Sequence, residues 1–192
     1  HLGQTSIVGV QGYLEKDDHP RSSYYRIMRI GIVSADRINP AISPDGKEHW
    51  GGAGWVRLAQ YLPYFGDNII VGTLMWHKTE FKVIDILERV QDVDIIIMQR
   101  LMHEGLAEHI KLAKQAGQVV INDVDDWYWG LDPSNMAYHT SHPKTNKKEN
   151  TNFYRSIIGA SSLVTTSTPF LYDKIKAWNK NVVLLPNTVD IK

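Results

Sequence analysis

The sequence predicts an α/β protein built on a doubly wound, mostly parallel sheet of about six strands. Two near-continuous runs of branched apolar residues, Ile27–Val33 and Val93–Met98, have strand length and the look of strands buried on both faces. Between such runs lie segments with helical spacing, such as Leu106, Ile110 and Ala113. The unusual polar residues cluster just beyond the predicted strand ends, the edge where open parallel sheets bind ligands.

Residues 1–26 are polar and irregular and read as an N-terminal arm. The first core strand, Ile27–Val33, ends at Ser34-Ala35-Asp36. A polar loop, Asn39–Lys47, then leads to Glu48-His49-Trp50-Gly51-Gly52-Ala53-Gly54, after which Val56, Ala59, Gln60 and Leu62 recur at helical spacing up to Pro63. Asn68–Leu74 reads as a strand, Val83–Val90 as a helix and Val93–Met98 as the next strand. Glu104–Gln115 is a predicted helix with Gly117 as its stop. Gln118–Asn122 is the following strand, and it runs into Asp123, Asp125, Asp126, Trp127, Tyr128 and Trp129.

Asp132–Asn152 is a long, largely polar segment with two prolines and reads as a mobile loop. Order resumes with a helix through Phe153, Ile157 and Ile158 and a strand at Ser162–Thr166. Thr168-Pro169 then places a hydroxyl at an N-cap and proline at the first helical position. Asn181–Leu185 is the last strand. The division expected is an arm, one domain over 27–186, and the start of a linker at 187–192.

Composition narrows the function. The 192 residues carry 21 basic and 21 acidic side chains, so no strong field favours nucleic acid or an anionic membrane. With Cys 0, a disulfide framework and thiolate metal sites are excluded. No apolar run approaches the ~20 residues of a membrane span. The combination points to a cytoplasmic protein with no transmembrane segment.

Candidate chemistry follows the strand ends. Gly51, Gly52, Ala53 and Gly54 open a helix, where backbone N–H groups can meet a phosphate or oxyanion; the same glycines also suit a tight turn. The pattern is neither G-x-G-x-x-G nor a Walker loop, which disfavours a nicotinamide-dependent oxidoreductase. Arg100 can clamp a carboxylate or phosphate, or pair with a neighbouring aspartate. His103 and His49 can act as bases or serve as surface residues. Asp125 and Asp126 suit acid–base work or sugar hydroxyls, with Trp127 and Trp129 as stacking rings, or else they cap a turn while the rings pack over the core edge. The Asp-x-Asp spacing alone is weak evidence for a metal, and none is expected.

Three stretches carry a resemblance. Gly51-Gly52-Ala53-Gly54-Trp55-Val56-Arg57-Leu58-Ala59, Ala160–Thr168 and Val183-Leu184-Leu185-Pro186-Asn187-Thr188-Val189-Asp190 together resemble the N-terminal Rossmann-like domain of GT-B glycosyltransferases. The similar group is the retaining one that includes glycogen-synthase-like and mannosyltransferase-like enzymes. The resemblance implies transfer from a nucleotide-sugar donor, with no separate cofactor, to a carbohydrate or glycoconjugate acceptor. It further implies that Asn187 contacts substrate and that a C-terminal Rossmann domain of the same enzyme, absent from this chain, holds most of the donor, leaving this fragment inactive alone. Asp123–Asp126 stand where relatives carry a histidine, and Thr188 replaces a glycine. A non-catalytic carbohydrate-binding or scaffold module is the alternative.

Overall fold

The computed structural model describes residues 28–38, 45–66, 69–73, 92–146 and 149–188. The arm expected over 1–26, the helix expected at Val83–Val90 and the last four residues lie outside them. Six parallel strands form one sheet in the order β4-β1-β5-β6-β7-β8. They are β1 (Ile30–Ser34), β4 (Ile69–Thr73), β5 (Ile95–Gln99), β6 (Val119–Val124), β7 (Leu163–Thr166) and β8 (Val182–Leu184). The expected α/β sheet is therefore present, strand for strand.

The chain winds from β1 outward to β4, then returns past β1 to β5 and proceeds through β6, β7 and β8. This reversal places the topological switch point between β1 and β5, the place in such sheets where ligands bind at the carboxyl ends of the strands. The described helices lie on both faces of the sheet. On one face α2 (Leu106–Gln115) and α4 (Asn150–Ala160) pack together, burying Leu106, Ile110 and Ile157 against Val33, Ile96, Met98 and Val120. A second cluster joins Val124, Tyr128, Tyr154, Ile158 and Val164 to Leu171 and Ile175 of α5 (Pro169–Ile175). The Thr168 hydroxyl caps α5 by accepting from Leu171 N at 3.2 Å, with Pro169 in the first turn, as its sequence predicts.

On the other face α1 (Gly52–Arg57) is short. Leu58 breaks it at φ −132°, and a 3-10 segment, Ala59–Tyr64, continues instead of the single helix expected to Pro63. A small antiparallel pair, β2 (Arg37–Ile38) and β3 (His49–Trp50), brackets the loop before α1; the polar loop had hidden it.

The segment read as a mobile loop is largely ordered. Asp132 accepts from both the backbone N–H and the hydroxyl of Ser134, at 2.8 and 2.6 Å. A short helix, α3 (Tyr138–Ser141), stacks Tyr138 on His142 at 4.6 Å, and Thr145 Oγ1 donates to the Tyr138 carbonyl at 2.6 Å. Several of its polar side chains bond nearby backbone, which composition does not reveal.

Candidate active site at the strand ends

Parallel register lines up Ser34, Gln99, Asp123 and Thr165, one from each of β1, β5, β6 and β7, on the face that carries α1. They form a continuous polar row. Ser34 Oγ donates to Gln99 Oε1 at 2.7 Å, Gln99 Nε2 donates to Asp123 Oδ2 at 3.2 Å, and Thr165 Oγ1 donates to Asp123 Oδ1 at 2.6 Å. A carboxylate so deeply buried requires a counter-charge. Arg57 of α1 supplies it: Nε lies 3.1 Å from both Asp123 oxygens and Nη2 2.5 Å from Oδ1. Arg57 Nη1 donates to the Leu185 carbonyl and, at 3.2 Å, to Asn187 Oδ1. The guanidinium thus ties the segment after β8 to α1, and Gln60 Nε2 of the following 3-10 segment also donates to the Thr188 carbonyl at 2.7 Å. Thr188 stands outside the left-handed region, so the threonine in place of glycine brings no strain there.

Next to this row, Arg100 occupies left-handed backbone at φ 57°, an uncommon conformation for a residue with a side chain. Its guanidinium meets Asp36 through Nη1 at 2.8 Å, Asp126 through Nη2 at 3.5 Å and the Tyr128 hydroxyl through Nε at 2.8 Å. Burial opposes the Arg100 charge, but Tyr128, Asp125 and Asp36 outweigh it and hold the pKa above its ordinary value. Arg100 therefore bridges the loops after β1 and β6 across the switch point.

Asp36 Oδ2 accepts the Gly54 N–H at 2.9 Å, and its carbonyl accepts the Gly51 N–H at 2.7 Å. A Cβ on Gly51 would stand 2.9 Å from Asp36 Cγ, and one on Gly54 2.7 Å from Asp36 Cβ and 2.9 Å from Trp50 Cε3. Gly52 faces open space. Two of the loop's glycines are thus explained by the close approach of Asp36, a residue that the sequence pattern left as a strand terminator.

Asp125 is the most perturbed carboxyl. Its Oδ1 is sealed from solvent with no hydrogen-bond partner in the protein. Burial pushes its pKa up to about 7, against the pull of Arg100 and with help from Asp126 and Asp123. Its neighbour Asp126 keeps about half its side chain exposed, at 47%, and lies against Arg100. Burial, reinforced by Asp125, likewise raises the Tyr128 hydroxyl well above its ordinary value, with Arg100 opposing.

Structure draws Gly51, Gly52, Ala53, Gly54, Arg100, Asp125 and Asp126 to one rim, and Asn187 joins it through Arg57. Trp127 and Trp129 are turned differently. Trp127 stacks on Trp178 at 5.5 Å and meets Phe170 at 6.0 Å, while Trp129 stacks on Tyr154 at 6.2 Å; Lys174 Nζ lies 5.9 Å from the Trp127 ring centroid. Both rings line the edge of the second core cluster. His103 points Nδ1 at the Glu104 carbonyl, 2.6 Å away, and His49 contacts Asp45 at 2.8 Å on the small hairpin. Among the described residues no group of three or more His, Asp or Glu side chains is arranged to hold a metal.

No family model matches the chain, and no curated protein matches it. Among solved structures, one titled a conserved protein from Enterococcus faecalis V583 matches at a TM-score of 0.35 and 14% identity, over 78% of this chain and 98% of that one. No helix among the described residues is long and apolar enough to cross a membrane.

Arg57 and Asp36, together with Ser34 and Thr165 of the polar row, were the site residues missed in sequence. Arg57 carried one signal, a lone charge between Val56 and Leu58-Ala59 on a helix that the glycine loop opens.

Proposed function

We propose that this chain is the acceptor-side half of a glycosyltransferase, in which Asp125 acts as the acid–base group and Asp126 binds acceptor hydroxyls. The observation supporting this reading is the divergence of two adjacent carboxyls at the end of β6: one largely buried, with Oδ1 unpartnered and its pKa pushed up to about 7, the other half-exposed and ion-paired. Carboxyls pushed apart in this way can divide proton transfer from hydroxyl binding. In the complete enzyme Asp125 takes the acceptor hydroxyl proton as that oxygen bonds to the donor's anomeric carbon, and the nucleotide leaves with the electron pair of the broken bond. The donor is a nucleotide sugar consumed as substrate, held chiefly by a second Rossmann domain.

Sugar transfer by the complete enzyme tests the reading. Asp125→Asn is expected to lower kcat about 100-fold or more, the scale of a lost general base. Asp126→Asn is expected to raise KM with a smaller effect on kcat. In the unsubstituted enzyme kcat/KM rises with pH through about 7 as Asp125 ionises. Unchanged transfer in both variants would remove the catalytic assignment.

The packing of Trp127 and Trp129 against Trp178 and Tyr154, which turns their faces to the core, favours a second reading, a non-catalytic scaffold module. Neither sugar binding nor transfer by the complete protein would select it.

A further inference from the structure

Asp36 stands where an incoming anion would sit. Its Oδ2 takes the Gly54 N–H at 2.9 Å, its Oδ1 takes Arg100 Nη1 at 2.8 Å, and its side chain is 13% exposed. Gly51 and Gly54 leave no room beside it for even a methyl group, so the loop is shaped around this internal carboxylate. The other Arg100 nitrogens face Tyr128 and Asp126. The Arg57 nitrogens face Asp123, the Leu185 carbonyl and Asn187. Five of the six guanidinium nitrogens are thus hydrogen-bonded to protein oxygens, and the sixth, Arg100 Nη2, lies 3.5 Å from Asp126 Oδ2. Asp36, Asp123 and Asp126 alone outnumber the two arginines, so a phosphate at this rim would meet net negative charge and guanidinium nitrogens that already face protein oxygens.

An uncharged hydroxyl meets the opposite situation. Asp126, half-exposed, offers it an acceptor, and an ammonium group would gain further from the surplus of carboxylates. We propose that Asp36 sets the charge class of the ligand on this half of the protein: uncharged or amine-bearing polyhydroxyl compounds enter, and phosphorylated ones are excluded. For the identity of the ligand this rests on the carbohydrate reading above, whereas the exclusion of anions rests on the Asp36–Arg100–Gly54 geometry and the surplus of carboxylates around it.

The test follows the backbone amides of Gly51–Gly54, Asp125 and Asp126 by NMR in the full chain, titrated separately with methyl glucoside, glucosamine, glucose 6-phosphate and inorganic phosphate. In the unsubstituted protein methyl glucoside and glucosamine are expected to shift these amides, with glucose 6-phosphate and inorganic phosphate at least about tenfold weaker, a gap of about 1.4 kcal/mol. Asp36→Asn keeps an acceptor for the Gly54 N–H but removes the charge facing Arg100. It is expected to raise the affinity for inorganic phosphate about tenfold or more. Asp36→Ser gives the same comparison with a smaller side chain should the amide fold poorly. Phosphate shifting these amides equally in the unsubstituted protein and the variants overturns the proposal. Failure of both uncharged and amine-bearing sugars to bind, with the phosphate comparison as expected, would instead sink the carbohydrate reading and leave the charge filter standing.

Discussion

Arg57 and Asp123 show how one buried pair decides what the neighbouring groups are free to do. Their side chains are 2% and 4% exposed, so neither charge has water to fall back on. Arg57→Met should cost about 3–5 kcal/mol in denaturant unfolding, because it strands the Asp123 carboxylate; pairing it with Asp123→Leu should recover part of that loss. Asp125 behaves in the opposite sense. Its folded pKa is raised, so the folded chain holds a proton that the unfolded chain releases between about pH 4 and 7. Stability from this group is full below that window and is lost as pH rises through it. Asp125→Asn removes the dependence and should stabilise the protein at pH 8 by on the order of 2 kcal/mol, with little effect at pH 4, readable as a difference in Tm between the two conditions.

Among the elements, the loop into α1 gives the sharpest contrast. Gly54→Ala forces a methyl to within 2.7 Å of Asp36 Cβ and 2.9 Å of Trp50, and should cost about 1–3 kcal/mol in thermal unfolding. Gly52→Ala points into open space at the start of the helix and should be neutral or stabilising by up to ~1 kcal/mol. The two substitutions look alike in sequence, which marks the limit of what the glycine pattern conveys. Strands buried on both faces were legible because Ile30–Val33 and Ile95–Met98 must be apolar on either side. The α5 start was legible because its cap and proline are local chemistry. The β2–β3 pair, the break at Leu58 and the ordered turns after Asp132 were not, since each depends on a contact with a distant or apparently solvated residue. Within the site, Asp125 and Asp126 were visible as charges beyond an apolar run, while their difference in environment needed Arg100, Tyr128 and Asp36 in three dimensions.

For the whole molecule, the sheet order places β5 and β6 at the centre and leaves β8 at an edge, with Val183, Leu184 and Leu185 partly exposed. Hydrogen exchange should accordingly be slowest at Ile96, Met98, Val120 and Asn122, and faster by orders of magnitude along Val182–Leu184. Comparable protection at both places would mean that something covers the edge. The polar row from Ser34 through Gln99 and Asp123 to Thr165 has one more consequence. A slip of β6 by a single residue would swing Asp123 to the face covered by α4 and strand it among Val164, Ile157 and Ile158. The row is thus a proofreading device for assembly: its bonds close only when four strands, brought together from more than a hundred residues of chain, have found their correct alignment.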